Sequence, residues 1–245
     1  MSQIVSDSSS TVWRTRRSAF ERLFLLGHSC WSYFIGKYTG KRLKVSLPLY
    51  LALLSGVLPD FDIYFHPWIQ HHTITHSVLF LGPITALITY RYKKLGAAFS
   101  FGILSHLFTD SLVGNIPIIY PLSTSFVVGL NLGIPSPSDT ALETGALAFV
   151  IAYAFQNGDY MLFTRRSRES LRIAIPLIAI VTLTVLFAGD NNIPLTVLAF
   201  SRKALTAITV GHVVLVGALS AGTLQGIRAY LIKYREGAVT GKGTG

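Results

Sequence analysis

Leu58-Pro59-Asp60-Phe61-Asp62 and, nine residues after Asp62, His71-His72-Thr73-Ile74-Thr75-His76-Ser77 stand between two apolar segments, 47–58 and 78–92. With His66, the seventeen residues from Asp60 to His76 carry two carboxylates and four imidazoles. Ionisable groups packed this densely beside apolar runs ask either for a metal ion or for a wet, His-rich surface loop. The flanking sequence has to decide between the two.

The flanks are unusually apolar. Of 245 residues, 51% are hydrophobic and only 13% charged, against about 25% charged in globular domains, and the mean hydropathy is +0.51. This composition reads as an integral membrane protein. The single Cys30 excludes an internal disulfide and a thiolate metal cluster within one chain.

N-terminal to the acidic stretch, 13–26 mixes Arg14, Arg17 and Arg22 with Phe20, Leu23 and Phe24, a pattern suited to an amphipathic helix in the membrane surface. His28 opens a short apolar segment to about Ile35, and 47–58 is a second short one. C-terminal to it, the apolar runs are 78–92, 95–113, 141–156, 173–188 and 204–230, with Ile193–Phe200 too short to cross. The expected fold is all-α: a multi-pass transmembrane helical bundle of about six spanning segments, the first two short for a bilayer that needs about 20 apolar residues. Residues 1–26 are expected to be a disordered start plus the interfacial helix. Residues 27–235 form the transmembrane domain, with 27–145 its motif-bearing part, and 236–245 a flexible tail.

Charge sets the orientation. Alternation from a cytoplasmic 37–44 puts 91–94, 159–172 and the tail after 228 on the same side, and these hold fifteen of the 21 Lys and Arg residues. The opposite loops, 59–75 and 114–142, contain none. The bias accounts for the net charge of +10 without nucleic acid. It places the chain in the cytoplasmic membrane with the acidic and His-rich loop on the extracytoplasmic side. Arg14 to Arg22 fall on the disfavoured side unless the first segment lies in plane or re-enters.

The same topology gathers ligands. Asp60, Asp62, His71 and His76 lie at the outer ends of the second and third segments. His106 and Asp110, four apart on one helical face, end the fourth. Glu143 opens the fifth and His28 the first. Imidazole and carboxylate suit zinc first, with manganese or iron as alternatives, and eight groups exceed one tetrahedral ion, so one ion plus a general base or two ions are both open. The expected metal ligands are His28, Asp60, Asp62, His71, His76, His106 and Asp110, with Asp62 or Glu143 as proton acceptor for a metal-bound water. His66 and His72 read as supporting or solvent-facing groups, and His212 as a hydrogen-bonded packing residue. Trp31, Tyr64, Trp68 and Tyr120 read as interfacial anchors.

The ordered set Gly27-His28, Leu58-Pro59-Asp60-Phe61-Asp62, His71-x4-His76-Ser77, Ser105-His106-x3-Asp110, Pro117 to Pro121 and Leu142-Glu143 resembles the YdjM family over roughly residues 27 to 145. The resemblance implies a multi-pass membrane protein with a divalent metal site and a hydrolase activity. Against the family hallmark HRGxTHS, His72 replaces Arg and Thr73 replaces Gly, which removes a bidentate anion-binding group. The expected reaction is hydrolysis of an ester or phosphoester of a small-molecule, lipid or lipid-linked substrate beside the bilayer. Two rivals stand beside it. One is a metal or ion transporter, disfavoured because the inner half of the bundle offers only His212 as an ionisable group. The other is a structural or partner-binding membrane protein with a stabilising metal.

Overall fold

The computed structural model describes residues 25–65, 68–130, 137–190 and 202–240, and these are helical with no strand among them; Ile116 and Val128 form one isolated antiparallel bridge. The long elements are α1 (Leu25–Arg42), α2 (Leu49–Ser55), α3 (Val78–Val113), α4 (Pro137–Asn157), α5 (Met161–Thr164), α6 (Ala174–Asp190) and α7 (Arg202–Thr240). Short 3-10 helices run Pro59–Phe65, Ile74–His76 and Glu169–Ile173. The interfacial helix expected at 13–26, His66 and Ile193–Phe200 fall outside the described residues, apart from Leu25 and Leu26.

Several boundaries differ from the sequence reading. Helix α1 runs through Gly27 and beyond Ile35 to Arg42, because Lys41 and Arg42 suit the negative end of the helix dipole. At 18 residues it is about 27 Å long, so the first segment is not short. Helix α2 has 7 residues and is shorter than expected, since the chain turns at Gly56 and enters the Pro59 3-10 helix.

Helix α3 is a hairpin. Lys93 adopts φ 54°, ψ −127°, a break that divides the element into arms 78–92 and 94–113 at the expected basic turn. The arms return antiparallel: Thr89 Oγ1 donates to Ser100 Oγ at 3.2 Å, and Ser100 Oγ donates to the Thr85 carbonyl at 3.0 Å. The turn is tight enough that a Cβ on Gly96 would lie 2.3 Å from the Ile88 carbonyl oxygen. Its closure brings residue 76, just before the first arm, against residue 110 near the end of the second.

Helix α1 lies along the second arm of α3. Ser32 Oγ donates to the Gly102 carbonyl at 2.9 Å and meets Ser105 Oγ at 2.9 Å. Small and hydroxyl-bearing residues let helix backbones approach closely where water is excluded. At the end of the bundle remote from Asp60, Lys37 Nζ pairs with Asp159 at 2.7 Å and Tyr33 donates to the same carboxylate at 2.7 Å, tying α1 to the turn after α4.

A buried apolar core is built from Leu26, Tyr33, Leu47, Leu53, Ile180 and Leu219, yet many large apolar side chains also face outward. Leu87, Tyr90, Phe101, Phe108, Phe155 and Val213 are exposed, whereas Asp60, His76, His106, Asp110 and Glu143 are buried. An apolar exterior with the ionisable groups held inside is the arrangement a lipid solvent favours. Among the described residues, Thr209–Tyr234 is the one helical stretch long and apolar enough to cross a bilayer. The α3 hairpin is interrupted by Arg91, Lys93 and Lys94, and α6 has 17 residues. Among the described residues, length and hydropathy therefore mark one candidate span and do not by themselves confirm the six expected.

Gly96→Ala is expected to lower stability by about 1–3 kcal/mol through overpacking. Gly145→Ala, where a new Cβ meets nothing within 4 Å, should be neutral or stabilising because alanine is the better helix former. Thermal unfolding of the detergent-solubilised variants checks the contrast; equal melting of the two would contradict the hairpin.

Candidate metal centre

The loop between α2 and α3 and the second arm of α3 each supply an acid and at least one imidazole. The Pro59 3-10 helix carries Asp60 and Asp62 inward, and the Ile74 3-10 helix ends on His76. The next residue, Ser77, caps α3 by accepting from the Leu79 amide, and its hydroxyl contacts the carbonyls of Ile118 and Tyr120. The segment 114–130 is thus pinned beside the ligands.

Asp60 Oδ1, His76 Nε2, His106 Nε2 and Asp110 Oδ2 converge. His76 Nε2 lies 3.0 Å from His106 Nε2, and both lie 3.4 Å from Asp60 Oδ1. Asp110 Oδ2 is 3.5 Å from His76 Nε2 and 3.1 Å from His106 Nε2. A tetrahedral ion with bonds of about 2.0–2.1 Å holds its donors about 3.3 Å apart. Five edges of this cage match that spacing.

Two donors flank the cage. His28 Nε2 is 3.2 Å from the other Asp110 oxygen, with its ring stacked on His106 at 3.9 Å. His71 Nε2 is 3.8 Å from Asp60 Oδ1.

Hydrogen bonds behind the rings fix the tautomers. His106 Nδ1–H donates to the Gly56 carbonyl at 2.7 Å. The Thr109 hydroxyl donates to the carbonyls of Ser105 and His106, so its oxygen is left to accept from His28 Nδ1–H at 3.0 Å. His71 Nδ1–H donates to Asp62 Oδ1 at 2.8 Å, and the Thr75 hydroxyl donates to Asp62 Oδ2 at 2.5 Å. His76 Nδ1–H faces Thr75 Oγ1 at 3.0 Å and Asp62 Oδ2 at 3.6 Å. Each Nε2 therefore presents a lone pair inward, which is how metal-binding imidazoles are held.

Lone pairs facing carboxylates and one another are repulsive without a positive charge between them. Asp60 Oδ2 and both Asp110 oxygens are buried with no hydrogen-bond donor among the described residues. Leaving such oxygens unsatisfied costs about 1–3 kcal/mol each, and more when charged. Burial opposes charge on Asp60 and Asp62, yet the surrounding imidazoles outweigh it and hold both carboxyls below the ordinary carboxylate range. Burial also pulls His76 down, but the neighbouring carboxylates of Asp60, Asp62 and Asp110 push it up to about 9. Burial leaves His71 lowered. The centre wants positive charge, and the groups His28–His106–Asp110, Asp60–His76–His106 and His71–His72–His76 are each close enough to hold a metal ion.

The structure brings together six of the seven expected ligands at their donor atoms. The seventh, Asp62, is buried behind the rings, with its oxygens on Nδ1 nitrogens and a hydroxyl. Glu143 is buried on α4, near enough to Cys30 on α1 to act on it through its charge. His72 joins His71 and His76 with ring centroids 4.2 and 4.6 Å away. Its backbone sits at φ 59°, a left-handed conformation that costs a non-glycine residue about 1–3 kcal/mol. Sequence reasoning missed Gly56, Thr75 and Thr109. A hydroxyl immediately before His76 and another immediately before Asp110 were the available signals for the last two; a backbone carbonyl leaves none.

A family model described as YdjM inner membrane protein matches residues 24–192, more than two thirds of the chain and all of the centre. No curated protein and no solved structure matches. With that match covering well over half of its length, the chain belongs to the YdjM inner membrane protein family.

Proposed function

We propose that the chain is a multi-pass, membrane-embedded, metal-dependent hydrolase whose centre opens toward the extracytoplasmic face. The observation that carries the reading is the convergence of four inward lone pairs and two carboxylates, three of whose oxygens lack a hydrogen-bond donor. His28, His106 and Asp110 would hold one divalent ion, and Asp60, His76 and His71 a second, or the central four would hold a single four-coordinate ion. Zinc, manganese or iron suits such donors. A divalent ion bound here lowers the pKa of water toward neutrality and polarises an ester or phosphoryl oxygen.

The chain's own residues divide the remaining work. Asp62 orients His71 and His76 rather than ligating, because its oxygens are already engaged by Nδ1–H groups and Thr75. Proton acceptance then falls to Glu143, the other expected base. The loops flanking the centre expose Tyr64, Trp68, Leu122 and Phe126 and carry no Lys or Arg. Such a rim suits an acyl chain or lipid-linked ester arriving from the bilayer. The buried hydroxyls of Ser32 and Ser105 bond each other and a helix carbonyl, as packing residues do, which argues against an ion path toward the other face.

One observation favours a second reading. Four protein donors at tetrahedral spacing make a closed site, and closed sites are usually structural. Stoichiometry separates the two: two ions, or one with an exchangeable water, supports catalysis, and a single inert four-coordinate ion supports the structural role.

Purified wild-type protein is expected to carry one to two equivalents of divalent metal, and a His76→Ala/Asp110→Ala double variant almost none. Glu143→Gln should retain metal. Asp62→Asn should retain the stoichiometry with affinity weaker by about 10–100-fold, the usual effect of removing a carboxylate behind a ligand. Equal, negligible metal in wild type and double variant overturns the proposal. Orientation is checked separately in a Cys30→Ser background: a thiol reagent outside intact cells should label Ser123→Cys and spare Ser167→Cys.

A further inference from the structure

The inner donors have no surface of their own. Asp60, His76, His106 and Asp110 are each at most 2% exposed, so an ion can reach them only through the residues at the rim. His71 and His72 are half-buried and are the more exposed of the clustered imidazoles, His28, His76 and His106 being buried. The ligand atoms of His71, His72 and His76 all lie within 4.8 Å of one another, making a three-imidazole group that overlaps the inner cage at His76.

The overlap is informative because His76 has one lone pair to give. Its Nδ1 faces Thr75 and Asp62, and its Nε2 lies 3.0 Å from His106 Nε2 and 3.4 Å from Asp60 Oδ1. His76 can therefore complete the rim trio or the inner cage, but not both at once. His71 spans the same boundary, with Nε2 3.8 Å from Asp60 Oδ1. His71 and His76 each come within 3.8 Å of an Asp60 oxygen, whereas His72 acts on Asp60 and Asp110 only through their charge. Its left-handed backbone holds the imidazole against His71 and His76.

We propose that His72 is a capture ligand: incoming divalent ions bind first at His71, His72 and His76, and pass inward as Asp60 and His106 replace His72. Stepwise exchange spares the ion from losing its hydration shell before protein donors are in place. The step transfers ligands only, with no redox change. It rests on the metal centre proposed above, but assigns His72 to the rates of uptake and release and not to the resident ligand set.

The test uses full-length, detergent-solubilised protein stripped with a chelator, then mixed with cobalt(II) and followed by its visible absorption. His72→Gly suits the φ of 59° and keeps the loop folded; His72→Asn is a second variant tolerant of that conformation. Both are expected to reach wild-type stoichiometry and affinity, with uptake slowed at least tenfold. Release to excess chelator should slow by the same factor, because a pathway that speeds one direction speeds the other. Unchanged rates in both variants overturn the proposal, as does a loss of stoichiometry or affinity, which would make His72 a resident ligand. A wild-type protein that takes up no cobalt overturns the metal centre itself, and this step with it.

Discussion

The folded chain depends on how it neutralises Asp60 and Asp110. Both carboxylates are buried, three of their four oxygens lack a hydrogen bond among the described residues, and both face Nε2 atoms of His76 and His106 at 3.1–3.5 Å. Burying an unpaired charge costs several kcal/mol even after relaxation. Protons on the imidazoles are one remedy, as the raised His76 indicates. They are a poor one here, because His76 and His106 meet Nε2 to Nε2 at 3.0 Å, and protons on both nitrogens would collide. A shared dication answers every one of these contacts at once.

That demand propagates through the packing. The Gly56 carbonyl can take the proton of His106 only because the chain turns beside α1, where a Cβ on Gly56 would lie 2.3 Å from the His28 carbonyl oxygen. Thr109 holds His28 only because α1 lies close along the second arm of α3, through Ser32, Gly102 and Ser105. The hairpin at Lys93 then returns that arm to His76. Close helix packing and imidazole orientation are one constraint, since separating α1 from α3 would release His28 from the hydrogen bond that aims it.

Much of the centre was legible in the sequence because helical spacing and charge bias are local and cumulative. His106 and Asp110 share a face at i and i+4, and the Lys- and Arg-free loops mark one end. Adding His28, Asp60, His71 and His76 to that end required only alternation. Asp62 was less legible: two residues from Asp60 it reads as a further ligand, and its contacts with Thr75 and two Nδ1–H groups come from packing that sequence spacing does not reveal. The break at Lys93 was visible as a cluster of basic residues between apolar runs. The extent of α1 was not, because Gly27 reads as an interruption until tertiary packing carries the helix through it.

The count of spans is where hydropathy and packing part company. Among the described residues, only Thr209–Tyr234 satisfies the length and hydropathy of a solitary membrane helix, yet the chain belongs to an inner membrane family and exposes Leu87, Phe101, Phe108 and Phe155. Hydropathy averages over a whole helix, and a helix that carries His, Asp and Ser on its inner face scores as mixed even when its outer face is wholly apolar. The second arm of α3 is such a helix: Ser100, Ser105, His106, Thr109 and Asp110 are buried, while Phe101 and Phe108 are exposed. The polar groups that make the centre therefore lower the mean hydropathy of the helix that carries them.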